Sequence, residues 1–386
     1  MPNNVTLLIG TTKGLFLAAP DPSRETWGIT GPLCGGWPIN HAIGDPATGR
    51  IWAAGGGDWN GAGVWRSEDA GATWELSQLA HGQMQDWIAE NPDEATAFGF
   101  EPAPPAPYTG EVTALWSLGR ANGQLYAGAK PATLFESPDG GESWSRVDAL
   151  TDHPSRPDWQ PGGAGLILHT IVPDPDDAAR LWVSISAAGT FATEDGGQSW
   201  TRRNRRSNAG ATVPVEPGHD HGADVGTCVH NLVRAPGSGQ AGDLLYQQNH
   251  HGVFRSRDGG RSWDDISAGL PSTFGFPIAV HPRDPERIWV LPLNGDSIGR
   301  YPPGASAAVW ASADGGTTWQ AERAGLPQSD CYFTVLRQAM ATDHAPEVGV
   351  YFGTNSGSVF RRSSDGVWDE IARHLPTILS VETMTA

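Results

Sequence analysis

Cysteine is scarce, because 386 residues hold only Cys34, Cys228 and Cys331. Three scattered thiols, odd in number, exclude a disulfide framework and fit a reducing compartment. Burial as small hydrophobic side chains is the plain role for each. Positive charge is also short. Lys and Arg total 25 against 43 Asp and Glu, a net charge of −18, so the molecule's field repels phosphate backbones and anionic lipid headgroups. That balance predicts no nucleic-acid partner. Long apolar runs are missing, and nothing approaches the roughly 20 residues that span a bilayer. The opening "MPNNVTLLIGTTKGLF" has no basic segment followed by an apolar run and a cleavage site. The expectation is a soluble, cytoplasmic protein with no membrane partner.

Glycine (50), proline (31) and tryptophan (17) are abundant, while charged residues make up only 18%. Such a chain is turn-dense and built from short strands, which points to an all-β fold. One phrase recurs: "SEDAGATW" ending at Trp74, "SPDGGESW" at Trp144, "TEDGGQSW" at Trp200, "SRDGGRSW" at Trp263 and "SADGGTTW" at Trp319. Two degenerate copies, "DPSRETW" at Trp27 and "SSDGVW" at Trp368, bring the number to seven. The chemistry is that of a hairpin turn: Ser/Thr and Asp side chains bond the turn's own N–H groups, and glycine takes the positive-φ position. Successive tryptophans are 47, 70, 56, 63, 56 and 49 residues apart, which suits four-stranded propeller blades with unequal loops.

Second and third strands repeat between the turns, as in "RIWAAG" then "GVWRS" or "LLYQQN" then "GVFRS". The N-terminal "VTLLIGTTKGLFLAAP" enters that pattern without a first strand, and the C-terminal "TILSVETM" has the composition to supply one. Residues 1–386 therefore predict a single seven-bladed β-propeller with four-stranded blades. Its ring is closed by a C-terminal inner strand joined to three N-terminal strands, which removes exposed sheet edges.

Consecutive strands run antiparallel, so each innermost strand begins on the face that carries the turns between second and third strands. First strands are expected near "INHAIG", "EVTALWSL", "LHTIVPD", "VHNLVR", "FPIAVH" and "YFTVLRQAM". His41, His169 and His230 then stand near three of their beginnings. His250 and His251 occupy a turn on the same face, and Glu111 starts another first strand there. Convergent imidazoles with an open position are a metal site in the making, for zinc, iron or copper. His41, His169, His230 and His250 are the candidate ligands, with Glu111 or His251 to move protons. Arg337 is a candidate for an anionic substrate group, with packing between blades as the alternative.

Further features have plainer alternatives. His219 and His221 form an H-x-H pair near Asp224 in a long connection, as ligands or as a solvated polar loop. Residues 77–110, with Asp86, Trp87, Glu90, Glu94 and Glu101, are long enough for a lid over the mouth. The block "RRNRR" at 202–206 is a solvated strand end or a steering patch for an anion. His281 and Asp174 follow their first strands and belong to the opposite face.

The repeated turn resembles the Asp-box, or bacterial neuraminidase repeat, of sialidase-like β-propellers, and the likeness covers the whole chain. Phrases such as "CVH", "QQNH" and "FGFPIAVHP" resemble bacterial proteins labelled glycosyl hydrolase or exo-sialidase. The resemblance implies the propeller fold. It places the box at the turn between third and fourth strands, away from any active site. Sialidases proper need three arginines, a Tyr/Glu pair, an acid/base Asp and an Arg-Ile-Pro phrase. This chain lacks that phrase and has only six tyrosines, none but Tyr332 near a first-strand start. Three functions follow as expectations. The first is a metal-dependent hydrolase or lyase acting on a small molecule at the histidine cluster. The second is a glycoside hydrolase using two carboxyls, with Glu111 and Glu90 or Glu101 as the pair. The third is a non-catalytic binding scaffold.

Overall fold

The computed structural model describes residues 5–21, 25–206, 224–237 and 243–385. These form seven four-stranded antiparallel sheets arranged as propeller blades. Blade 1 takes Val5–Thr11, Gly14–Pro20 and Trp27–Leu33 from the N-terminus and its innermost strand, Ile378–Thr385, from the C-terminus. The closure expected from the sequence is thus the one observed. Blades 2 to 7 each use four consecutive strands, with first strands Ile39–Asp45, Ala114–Ala121, Leu168–Pro173, Val229–Arg234, Gly275–Val280 and Met340–Thr342. The last begins eight residues later than Tyr332, because residues 332–339 approach the sheet without forming a ladder. Blade 3 likewise starts at Ala114 and leaves Glu111 in the preceding turn.

The five full copies of the repeated phrase fold as their side chains require. In blade 2 Asp69 accepts the N–H of Thr73 at 2.8 Å and its hydroxyl at 2.6 Å, while Ser67 Oγ accepts the N–H of Gly71 at 2.8 Å. Blades 3, 4, 5 and 6 repeat the pattern at Asp139, Asp195, Asp258 and Asp314. Gly316 shows why glycine closes the turn: its φ is +86°, and an added Cβ would meet Ile266 at 2.4 Å.

These bonds depress the turn carboxyls. The Thr73 hydroxyl holds Asp69 at about 2, Ser199 does the same for Asp195, and Thr318 for Asp314. An unfolded Asp titrates near 3.9, so between those values the unfolded chain binds more protons than the ring. The stability contributed is complete above about pH 4 and is lost as pH falls toward 2. Replacing Asp69, Asp195 and Asp314 together by Asn is expected to lower stability at neutral pH and to flatten the acid limb. Denaturant titrations at pH 6, 4 and 3 measure both, and an unchanged acid slope contradicts the assignment.

Candidate functional site

Cys228 and His230 stand two residues apart at the start of the first strand of blade 5, and Cys228 Sγ lies 3.6 Å from His230 Nε2. The turn between Leu245–Asn249 and Gly252–Ser256 brings His250 beside them, fixed by its own N–H donating to the Cys228 carbonyl at 2.9 Å. One donor atom from each of Cys228, His230 and His250 lies within 4.8 Å of the others. His250 is edge-on to His230, His251 and Phe274, at 5.5, 4.8 and 5.0 Å between ring centroids. The structure therefore joins two of the four expected ligands and adds a thiol. The signal for that thiol was its place in the sequence, two residues before a candidate ligand.

His169 and His41 have other work. The first strands of blades 2 to 5 each carry a register shift, between Ile39/His41, Leu115/Ser117, Leu168/Thr170 and Val229/Asn231. Polar side chains at these shifts reach the next blade. Asn40 donates to the Leu115 carbonyl at 2.7 Å, Ser117 to Leu168 at 2.8 Å, His169 Nε2 to Val229 at 2.9 Å and His230 Nδ1 to Gly275 at 2.5 Å. His169 spends its other nitrogen on Thr170 Oγ1, at 2.9 Å. His41 stands one residue further along. Its Nδ1 accepts the Leu118 N–H at 3.0 Å, leaving Nε2–H to donate to Glu382 at 3.2 Å. His41 and His169 line an axial cavity of about 330 Å³ with Asn231, Arg234, Gln338 and Glu382, and neither joins the Cys228 group.

Glu111 is not brought to the axis. It is exposed and receives Arg146 Nη1 at 2.9 Å, beside the outermost strand of blade 3. Arg337 precedes the last inner strand instead of lying in it. Its guanidinium covers the Phe276 ring at 5.1 Å, and its Nε is buried with no hydrogen-bond partner. Arg300 lies over the same ring at 5.7 Å and donates to Asp296 at 2.5 Å, and Asp296 Oδ2 is 3.7 Å from His250 Nδ1. Burial first, and the Arg337 charge second, push His169 and His230 well below the ordinary imidazole range, so both are neutral. Burial raises the Cys228 thiol, with Arg337 opposing.

His219 and His221 lie outside the described residues. The "RRNRR" block is structural where described: Arg203 is buried beside Glu194, and Arg206 pairs with Asp265 at 3.1 Å. His281 caps the loop after its first strand, accepting the N–H groups of Arg283 and Asp284.

The connection into blade 3 is ordered by two short helices, Gln83–Glu90 and Pro92–Ala97, whereas residues 77–81 complete the strand Glu75–His81. Gln83 and Met84 donate their N–H groups to Asp58 and Trp59, in the turn between second and third strands of blade 2. The exposed large apolar side chains among the described residues are Ile29, Trp59, Phe98, Phe100, Ile298 and Tyr332. All but Ile29 sit in connections of the face that carries Cys228 and His250. Trp59 is 50% exposed, Phe98 66%, Phe100 43% and Tyr332 62%.

No family model matches the chain. It is 25% identical to a xyloglucanase from a Paenibacillus species over 326 residues, which are 75% of this chain and 29% of that protein. It is 23% identical to the oligoxyloglucan-reducing end-specific xyloglucanase of Emericella nidulans over 242 residues, 53% of this chain and 27% of that one. The chain thus spans less than a third of the length of these curated relatives. Among solved structures, the GH74 xyloglucanase of Xanthomonas campestris matches with a TM-score of 0.58 at 17% identity, over 95% of this chain and 52% of that one. A GH74 enzyme of Niastella koreensis matches at 0.56 and 14% identity, over 97% and 51%. The structural likenesses establish the propeller fold, and the relatives named carry xyloglucanase, not sialidase, descriptions.

Proposed function

We propose that this chain is a glycoside hydrolase acting on xyloglucan or a similarly decorated β-glucan. The observation that carries the reading is the likeness to the Paenibacillus xyloglucanase over three quarters of the chain. The open face supports it. Sugar rings present flat C–H surfaces that stack on aromatic side chains, and Trp59, Phe98, Phe100 and Tyr332 offer such surfaces on one side of the ring. Asp58 adjoins Trp59, and Asp86, Glu90 and Glu101 belong to the helical connection beside it. Glycoside hydrolysis needs two carboxyl groups across the scissile bond, one to protonate the leaving oxygen and one to activate water or attack. The pair is drawn from these four, and Glu111, held by Arg146, is replaced in that role.

The test is the release of reducing ends from xyloglucan, from undecorated β-glucan and from a fluorogenic sialoside, each with and without chelator. The expected result is release from xyloglucan, unchanged by chelator, with none from the sialoside. Asp58→Asn, Asp86→Asn, Glu90→Gln and Glu101→Gln are then compared, and loss of one catalytic carboxyl lowers kcat on the order of 100-fold or more. Absence of both hydrolysis and xyloglucan binding overturns the reading.

A further inference from the structure

We propose that Cys228, His230 and His250 form a three-ligand site for a divalent transition metal of the zinc type at the mouth of the axial channel. The inference goes beyond the glycan reading and does not rest on it.

The geometry of His230 carries the argument. His169 and His230 occupy equivalent places, since each ring bridges to the carbonyl of the residue at which the next blade's register shift begins, Val229 or Gly275. His169 does this through Nε2 and engages Nδ1 with Thr170, so nothing is left over. His230 does it through Nδ1. Its Nε2 lone pair is thereby turned toward Cys228 Sγ, 3.6 Å away. A ligating imidazole whose other N–H is held by a backbone carbonyl is the usual arrangement around a bound metal, because that bond fixes tautomer and ring orientation. Ligands at about 2.0–2.3 Å from a tetrahedral zinc lie roughly 3.3–3.8 Å from one another. The Cys228–His230 spacing already meets that figure.

His250 completes the set, and the ligand atoms need close by only about 1 Å from their present 4.8 Å limit to reach tetrahedral spacing. Asp296 Oδ2 is 3.7 Å from His250 Nδ1, so with Nε2 as the ligating atom this carboxylate can orient the ring, as carboxylates orient zinc-binding histidines. One thiolate with two imidazoles selects a borderline-soft ion over magnesium or calcium. Three protein ligands also leave a fourth position open, the pattern of reactive instead of structural zinc. Arg337 and Arg300 bring positive charge near Cys228, and Asp296 brings negative charge. With the thiolate formed, these four cancel, so the metal's own charge calls for an anion, hydroxide or a carboxylate, at the open position. Binding releases the thiol proton to solvent, one per ion.

Untagged full-length protein, stripped with chelator and dialysed, is titrated with Co²⁺ and then Zn²⁺. The expected result is one equivalent bound, with a thiolate-to-cobalt charge-transfer band that Zn²⁺ abolishes. Cys228→Ser loses the band, and His230→Gln weakens binding on the order of 100-fold or more. If Cys228→Ser fails to fold, His250→Ala in the half-exposed turn serves in its place and is expected to weaken binding similarly. Absence of the band, or equal affinity in wild type and variants, overturns the proposal. Hydrolysis that survives stripping leaves the glycan reading intact whichever way the titration falls.

Discussion

Deleting residues 377–386 is expected to abolish the folded ring. The strand Ile378–Thr385 is the innermost strand of blade 1, paired with Val5–Thr11 from Val5↔Thr385 to Thr11↔Ile378. It also bonds blade 7, where the Val381 N–H donates to the Gln338 carbonyl at 2.8 Å and Thr383 Oγ1 to Thr342 at 2.9 Å. Ile378 and Val381 are fully buried in the cluster shared by blades 1, 6 and 7. Each is worth about 1.5–3 kcal/mol, and the exposed ladder adds its lost hydrogen bonds. The total is on the order of the 5–15 kcal/mol that stabilises an ordinary domain. Calorimetry and size-exclusion chromatography of the truncated chain should show no cooperative transition and an expanded or aggregated species. A transition within a few degrees of the full chain contradicts closure by this strand.

Asp243→Ala is the point substitution with the largest expected cost. Between blades 4 and 5, Arg234 bonds Asp243 at 3.0 Å and Asp174 at 3.4 Å, while Arg180 bonds Asp174 at 3.0 Å and also Asp243. Both carboxylates are 2% exposed and Arg234 8%. Removing one acid leaves two guanidiniums sharing the other inside the protein, a loss of about 3–5 kcal/mol and a Tm drop of roughly 5 °C for a chain of this size. The double variant Asp243→Ala/Arg234→Met should recover part of it, because the uncompensated cation goes too. A single-variant loss under about 1 kcal/mol, the level of a surface pair, contradicts the clamp.

The blades were legible because their signal is local. Ser67, Asp69, Gly71 and Thr73 satisfy one another within a single turn, and five full and two degenerate copies of the phrase count seven blades. The closing strand was legible from an imbalance, three strands at one end and one at the other. The site was legible only in part, for a reason of register. Sequence alignment of first strands puts His41 beside His169 and His230, yet each strand carries an extra residue just there, and one position changes which way a side chain faces. His41 consequently meets Glu382 in the channel, while His230 meets Cys228.

Asp296 and Arg300 come from the long turn of the neighbouring blade, whose path over Phe276 no periodicity announces. Arg337 was displaced for a related reason. Gln338 reaches across to the His169 carbonyl and pairs with Ser380, so the chain is already tied there before the inner strand begins at Met340. The aromatic face was missed because Trp59, Phe98, Phe100 and Tyr332 come from three separate connections.

A crystal structure of the protein with a xyloglucan oligosaccharide tests the functional account most directly. The account predicts sugar density across the face bearing Trp59, Phe98, Phe100 and Tyr332, with a ring stacked on at least one of them and a carboxylate of Asp58, Asp86, Glu90 or Glu101 at a glycosidic oxygen. Density confined to the opposite face, or none at saturating ligand in a lattice that leaves the aromatic face open, would contradict it.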